Sequence, residues 1–189
     1  MINEKLPVLK MAAVYGANGA GKSNLLKGIN FLKAIALNKN FLDKESIGRY
    51  IFALKENAGA EPLELTIEFV TKSGIPFIYS VEVINTGIIF ETLQISGLGT
   101  EENRNVFTRR LGKVEYAVTP SDEVNNMVLG WIEKNPFASL LTINNDMPVL
   151  TDPNIGIAHK WFEDELTIIG LHSFNPALIG IFKSNYDCL

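Results

Sequence analysis

The chain has 189 residues, of which 47% are hydrophobic and 20% charged; 17 basic and 21 acidic side chains give a net charge of −4. This composition excludes a disordered chain and fits one packed domain, or one domain with a sub-lobe. The acidic balance excludes a global basic field for nucleic acid, and no run of about 18 apolar residues is available to span a membrane.

In chain order, Val8 to Tyr15 is mostly apolar and reads as a strand buried on both faces. A glycine-studded loop follows, and Lys22 to Leu37 reads as a helix with Leu25, Leu26, Ile29, Leu32 and Ala36 on one side. Residues 38–62 are mixed, with a loop at 57–62. The period then changes: Leu63, Leu65, Ile67 and Phe69 alternate with polar residues as in a half-buried strand. PFIYSVEVI (76–84), IIFETLQIS (88–96), VFTRRL and VEYAV continue the pattern, separated by turn residues at Lys72-Ser73-Gly74, Asn85-Thr86-Gly87, a glycine- and acid-rich loop, and Gly112. Residues 63–118 therefore predict an antiparallel meander of about five strands with no room for crossover helices. After Pro120 the pattern is helical. Ser121 is an N-cap candidate for a helix over 122–134, Pro136 opens a second helix to about Asn144, and Asp152-Pro153 starts a third. That third helix runs to about Ile169, with Ala158, Trp161, Phe162, Leu166 and Ile169 on one face.

The loop carries the chemistry. Gly16-Ala17-Asn18-Gly19-Ala20-Gly21-Lys22-Ser23 satisfies G-x-x-x-x-G-K-[ST] at every defined position. A phosphate chain needs several backbone N–H groups aimed at it, so the backbone must curl closely around it. Gly16, Gly19 and Gly21 permit that approach. The helix starting near Lys22 directs its unpaired N–H groups and partial positive charge at the anion. Lys22 can reach the terminal phosphates, and Ser23 can place a hydroxyl on Mg²⁺. Average residue frequencies would produce the bare pattern in roughly one in a hundred chains of this size. The preceding strand and following amphipathic helix make chance rarer still.

GANGAGKSNLL, with asparagine third in the loop and Asn24-Leu25-Leu26 after the serine, resembles the Walker A of ABC-type ATPases. It is most similar to the branch holding SMC-like and RecF-like DNA-repair ATPases and the prokaryotic AAA-family ATP-binding proteins of antiphage systems. These include overcoming-lysogenisation-defect-like nucleases and retron-, Septu- and abortive-infection-associated ATPases. The likeness continues through NLLKGINFLKAI, YSVEV, FETL, VFTRRLGKV and the helix near Trp161-Phe162. It implies an α/β P-loop NTPase, an ABC/SMC-like head, with an antiparallel β-meander sub-lobe and a C-terminal helical part. It also implies ATP and Mg²⁺ held by Gly16, Asn18, Gly19, Ala20, Gly21, Lys22, Ser23 and Asn24, with Ser23 on the metal. Two heads would close on nucleotide as a homodimer and control an effector nuclease or toxin.

A catalytic head needs further parts. PVLTDP at 148–153 has too few apolar residues for a Walker B, NFLDKE at 40–45 fits less well, and WFEDEL at 161–166 lies on a helical pattern. No signature motif of the Ser-Gly-Gly or Ser-Ser-Gly type is found, so no catalytic residue is assigned and ATP hydrolysis is attributed to a parent protein. The expectation is a single partial head over 1–189, cut at both ends: a strand-loop-helix unit at 1–40, a β lobe at 63–118 and a helical lobe at 121–170. A P-loop scaffold that docks an effector without hydrolysis is the alternative. A small-molecule kinase is disfavoured because the meander follows the first helix directly.

The remaining candidates are weaker. Gln94 could serve as a γ-phosphate-sensing glutamine, but alternation in IFETLQIS accounts for it. Asn24 fits helix packing or local hydrogen bonding better than nucleotide contact. His159 and His172 have no cysteine pair near them to make a metal site. Arg104, Arg109 and Arg110 form a small basic group that could touch DNA or a partner, a solvated strand face being the plainer account. Cys188 is the one cysteine, too few for an internal disulfide, and the first residues, MINEKLPVLKMAAV, lack a signal-peptide pattern. Both features point to the cytoplasm.

Overall fold

The computed structural model describes residues 13–18, 20–42 and 61–168. Expectations at residues 8–12, Gly19, 43–60, Ile169, His172 and Cys188 lie outside them. Five strands, β1 (Leu63–Val70), β2 (Pro76–Ile84), β3 (Gly87–Ile95), β4 (Arg104–Arg110) and β5 (Lys113–Tyr116), form one antiparallel sheet in sequence order. Four α-helices accompany it: α1 (Lys22–Leu37), α2 (Asp122–Lys134), α3 (Leu140–Asp146) and α4 (Pro153–Lys160), the last continuing into a π-helical turn at Trp161–Glu165.

Strand alternation decides where the core sits. Leu63, Leu65, Ile67 and Phe69 on β1 are in register with Val83, Val81, Tyr79 and Phe77 on β2. The β2 row is fully buried and belongs to one hydrophobic core with Leu93 and Phe107 of the neighbouring strands. Helix α1 lays Phe31, Leu32, Ile35 and Ala36 into this core, and α3 adds Leu140, Leu141 and Ile143. Two register shifts, at Glu82/Val83 and Leu93/Gln94, let the sheet bend without losing its inward face.

Local chemistry sets the helix ends. The Ser121 hydroxyl accepts from Val124 N at 3.4 Å, and the Asp152 carboxylate accepts from Asn154 N at 2.9 Å with Pro153 in the first turn. Both match the caps expected from sequence. α3 starts four residues later than Pro136. Buried Arg109 takes the Pro136 and Ala138 carbonyls, so this stretch is a turn and Ser139 becomes the cap, accepting from Thr142 N at 3.1 Å. The last helix is α only to Lys160. Leu166 N–H then donates to Trp161 O at 2.9 Å, the wider π spacing, and Lys33 Nζ holds Leu166 O at 2.6 Å. The wide turn stacks Trp161 on Phe69, with ring centroids 3.9 Å apart, while Phe162 packs edge-on against Phe69 and Tyr79.

Two expectations near the loop need correction. Residues 13–17 have no strand assignment, and Val14 and Tyr15 are 63% and 91% exposed. Among the described residues no strand lies alongside to supply the hydrogen bonds that a strand requires. Leu25 and Leu26 are 54% and 50% exposed, because the buried stripe of α1 begins only at Phe31.

Candidate functional site: the phosphate loop

The loop from Gly16 to Lys22 is drawn together by its own lysine. Lys22 Nζ donates to Gly16 O at 2.6 Å and to Ala17 O at 2.7 Å. Ala20 N–H donates to Ala17 O at 3.2 Å, closing a turn through Asn18. Gly21 is left-handed (φ 87°, ψ 3°), a conformation that disfavours any residue with a Cβ, and it starts α1: its carbonyl accepts from Asn24 N and Leu25 N at 2.9 and 3.3 Å. A Cβ on Gly16 would meet the Ala20 Cβ at 3.4 Å.

No side chain caps the start of α1, and its first turn carries no acid. That helix end therefore keeps its positive partial charge, and the Lys22 ammonium stands beside it. Ser23 and Asn24 lie exposed in the first turn. These features suit a phosphate chain: an ammonium resting on two neutral carbonyls, which a charged oxygen would outbid, and an uncapped helix start.

The far end of α1 is anchored by a buried polar chain that sequence reading missed. Thr142 Oγ1 on α3 lies 2.9 Å from Ala36 O and 3.1 Å from Ile35 O, the last carbonyls of α1. The start of α3 is held in turn by Glu91 of β3, whose carboxylate accepts from Leu140 N at 2.9 and 3.0 Å and from the Tyr79 hydroxyl at 3.0 Å. Arg109 Nη1 lies 3.5 Å from Glu91 Oε2. Burial pushes the Glu91 carboxyl above its ordinary range, with Arg109, the Leu140 N–H and the Tyr79 hydroxyl opposing. Burial likewise lowers the Arg109 guanidinium, with Glu91 opposing. The available signal was register: Glu91 is opposite Arg109, and both alternate onto the face that carries Leu93 and Phe107.

Arg109 is thus a core residue, 1% exposed, and not part of a basic surface with Arg104 and Arg110. Gln94 alternates onto the opposite sheet face, away from α1, which sets aside a nucleotide-sensing role. The acids weighed for a Walker B at 148–153 and 161–166 are otherwise placed. Asp152 caps α4, Glu165 accepts from Lys72 N at 2.8 Å, and Glu163 and Asp164 are exposed. His159 is buried with Nδ1 3.9 Å from Glu163. Among the described residues no helix is long and apolar enough to cross a membrane.

A G-x-x-x-x-G-K-S loop opening a helix, with its lysine folded over the loop, fits a P-loop nucleotide-binding domain. The family described as "AAA domain, putative AbiEii toxin, Type IV TA system" matches residues 11–142, more than half of the chain, and the chain belongs to that family. The matched span contains the loop, α1, the whole meander and α2. No curated protein and no solved structure matches the chain.

Proposed function

We propose that the chain is the ATP-binding part of an ABC/SMC-like ATPase head serving antiphage defence or DNA repair, in which ATP and Mg²⁺ drive pairing of two heads and control of an effector nuclease or toxin. The observation that carries this reading is the Lys22 ammonium, 2.6 and 2.7 Å from the loop carbonyls at an uncapped helix start. The backbone of Gly16, Asn18, Gly19, Ala20 and Gly21 cradles the phosphates. Lys22 exchanges its two carbonyls for phosphate oxygens, Ser23 offers its hydroxyl to the metal, and Asn24 stands next to it. Mg²⁺ held there would supply charge neutralisation to the phosphates. Membership of the matched family supports the nucleotide-binding core of the proposal.

A second reading, a P-loop scaffold that docks its effector without hydrolysis, draws support from the engagement of acids in the helical part. Asp152 is spent on a helix cap, and Asp146 is 2.6 Å from Lys39. Phosphate release and particle mass, followed together after adding ATP and Mg²⁺, separate the two. An ATP-dependent rise in mass that Lys22→Ala removes supports head pairing. Nucleotide binding with no change in mass and no phosphate release favours the scaffold.

A further inference from the structure

The helices pack on one face of the sheet, and among the described residues no element packs on the other. That open face is organised by charge. One row crosses all five strands in register: Glu64 is opposite Glu82, Glu82 opposite Phe90, Phe90 opposite Arg110, and Arg110 opposite Lys113. The row is acidic on β1–β2, aromatic on β3 and basic on β4–β5. The neighbouring row is Thr66, Ser80, Thr92 and Thr108, short hydroxyl side chains of which Thr92 is buried, and it ends on Glu115 of β5; Thr66 and Ser80 hydrogen-bond at 2.9 Å. The Arg110 guanidinium lies 4.7 Å from the centre of the Phe90 ring, so its charge stays on the face. Beside it, Thr108, Arg110, Lys113 and Glu115 line a recess of about 370 Å³, with Leu111, 78% exposed, at its edge.

We propose that this face is a docking surface for a second copy of the chain. A two-fold axis parallel to β3, lying between two stacked sheets, carries β1 over the partner's β5 and β2 over the partner's β4. It places Glu64 opposite the partner's Lys113 and Glu82 opposite the partner's Arg110, twice per dimer, with the two Phe90 rings meeting on the axis. The face is complementary to itself, as a two-fold contact requires. The acidic half argues against nucleic acid as the occupant, because phosphates would be repelled along β1–β2. Five strands about 4.8 Å apart and averaging about 25 Å in length present on the order of 500 Å² per copy, which sits at the transient end of specific interfaces. This contact needs no nucleotide and is separate from pairing through the phosphate loop.

The test is sedimentation of the full chain without nucleotide. Wild type self-associates, and its dissociation constant rises about tenfold or more between roughly 50 and 500 mM salt. The Glu64→Lys/Glu82→Lys variant and the Arg110→Glu/Lys113→Glu variant are each monomeric, and an equimolar mixture of the two forms a one-to-one dimer, since each then meets its opposite charge. Circular dichroism verifies that both fold. Should one fail, Glu64→Gln/Glu82→Gln weakens wild-type association in its place. A wild type that stays monomeric at low salt overturns the proposal, as does a dimer indifferent to salt and to both reversals, or a mixture that does not associate. Retention of duplex DNA lost in Arg110→Glu/Lys113→Glu, with no self-association, overturns it in favour of nucleic acid.

Discussion

Thr142 Oγ1 sits 2.9 Å from Ala36 O, so the hydroxyl of one short helix closes the end of the helix that begins at the phosphate loop. It lies 3.1 Å from Ile35 O as well, and the Ser139 hydroxyl is 2.9 Å from it on the other side. Replacing Thr142 by valine keeps the shape and leaves buried carbonyls without a donor. The expected cost is about 1–3 kcal/mol. Urea unfolding measures it as a lower midpoint at unchanged slope; an unaltered midpoint contradicts the anchoring role.

Arg109 and Glu91 are both buried and face each other across β3 and β4. Arg109→Met strands the Glu91 carboxylate in the core and also releases the Pro136 and Ala138 carbonyls, so a loss of about 3–5 kcal/mol is expected. Adding Glu91→Gln to that variant removes the stranded charge and keeps an oxygen for Leu140 N–H. The double variant is therefore more stable than Arg109→Met alone. Chemical denaturation of the single and double variants checks the order.

His159 gives a pH dependence with a definite sign. Burial holds its imidazole below the ordinary value, against the pull of Glu163, Asp146 and Asp164. Between an unfolded value near about 6.5 and the lower folded one, the unfolded chain binds a proton that the native chain does not. Stability from this group is thus complete above the unfolded value and is lost as pH falls through the window. His159→Gln flattens the slope below about pH 6.5; thermal unfolding of both proteins across that range measures the difference.

Gly87 packs directly on Pro136. A Cβ there would lie 2.7 Å from both the Cβ and the carbonyl oxygen of Pro136, and that oxygen accepts from Ile88 N at 2.9 Å. The residue also has φ +143°. Gly87→Ala has to push the 136–138 turn off the sheet, at an expected cost of about 1–3 kcal/mol. Calorimetric melting of the variant reads it directly.

Local signals carried much of this fold in the sequence. The bounds of α1 and α2, the five strands and their sequence order, and the Ser121 and Asp152 caps follow from periodicity and capping chemistry that act over a few residues. What stayed hidden depended on partners distant in the chain. Arg109 and Arg110 look alike in sequence, but only the first alternates inward, and recognising it requires knowing that Glu91 is opposite. The late start of α3 follows from Arg109 claiming the Pro136 and Ala138 carbonyls, 27 and 29 residues away. The π turn depends on the stacking of Trp161 on Phe69, and the exposure of Val14 and Leu25 on which neighbours lie alongside. The phosphate loop was readable because backbone geometry within eight consecutive residues encodes it.

The most direct measurement is calorimetric titration of the chain with ATP in the presence of Mg²⁺, wild type beside Lys22→Ala. The account predicts binding to wild type with a heat signal that Lys22→Ala removes, while the variant, which replaces a half-buried lysine outside the core, keeps its unfolding free energy within about 0.5 kcal/mol. Equal ATP affinity in the two proteins would contradict it, because the ammonium folded over Gly16 and Ala17 would then have no part in holding phosphate.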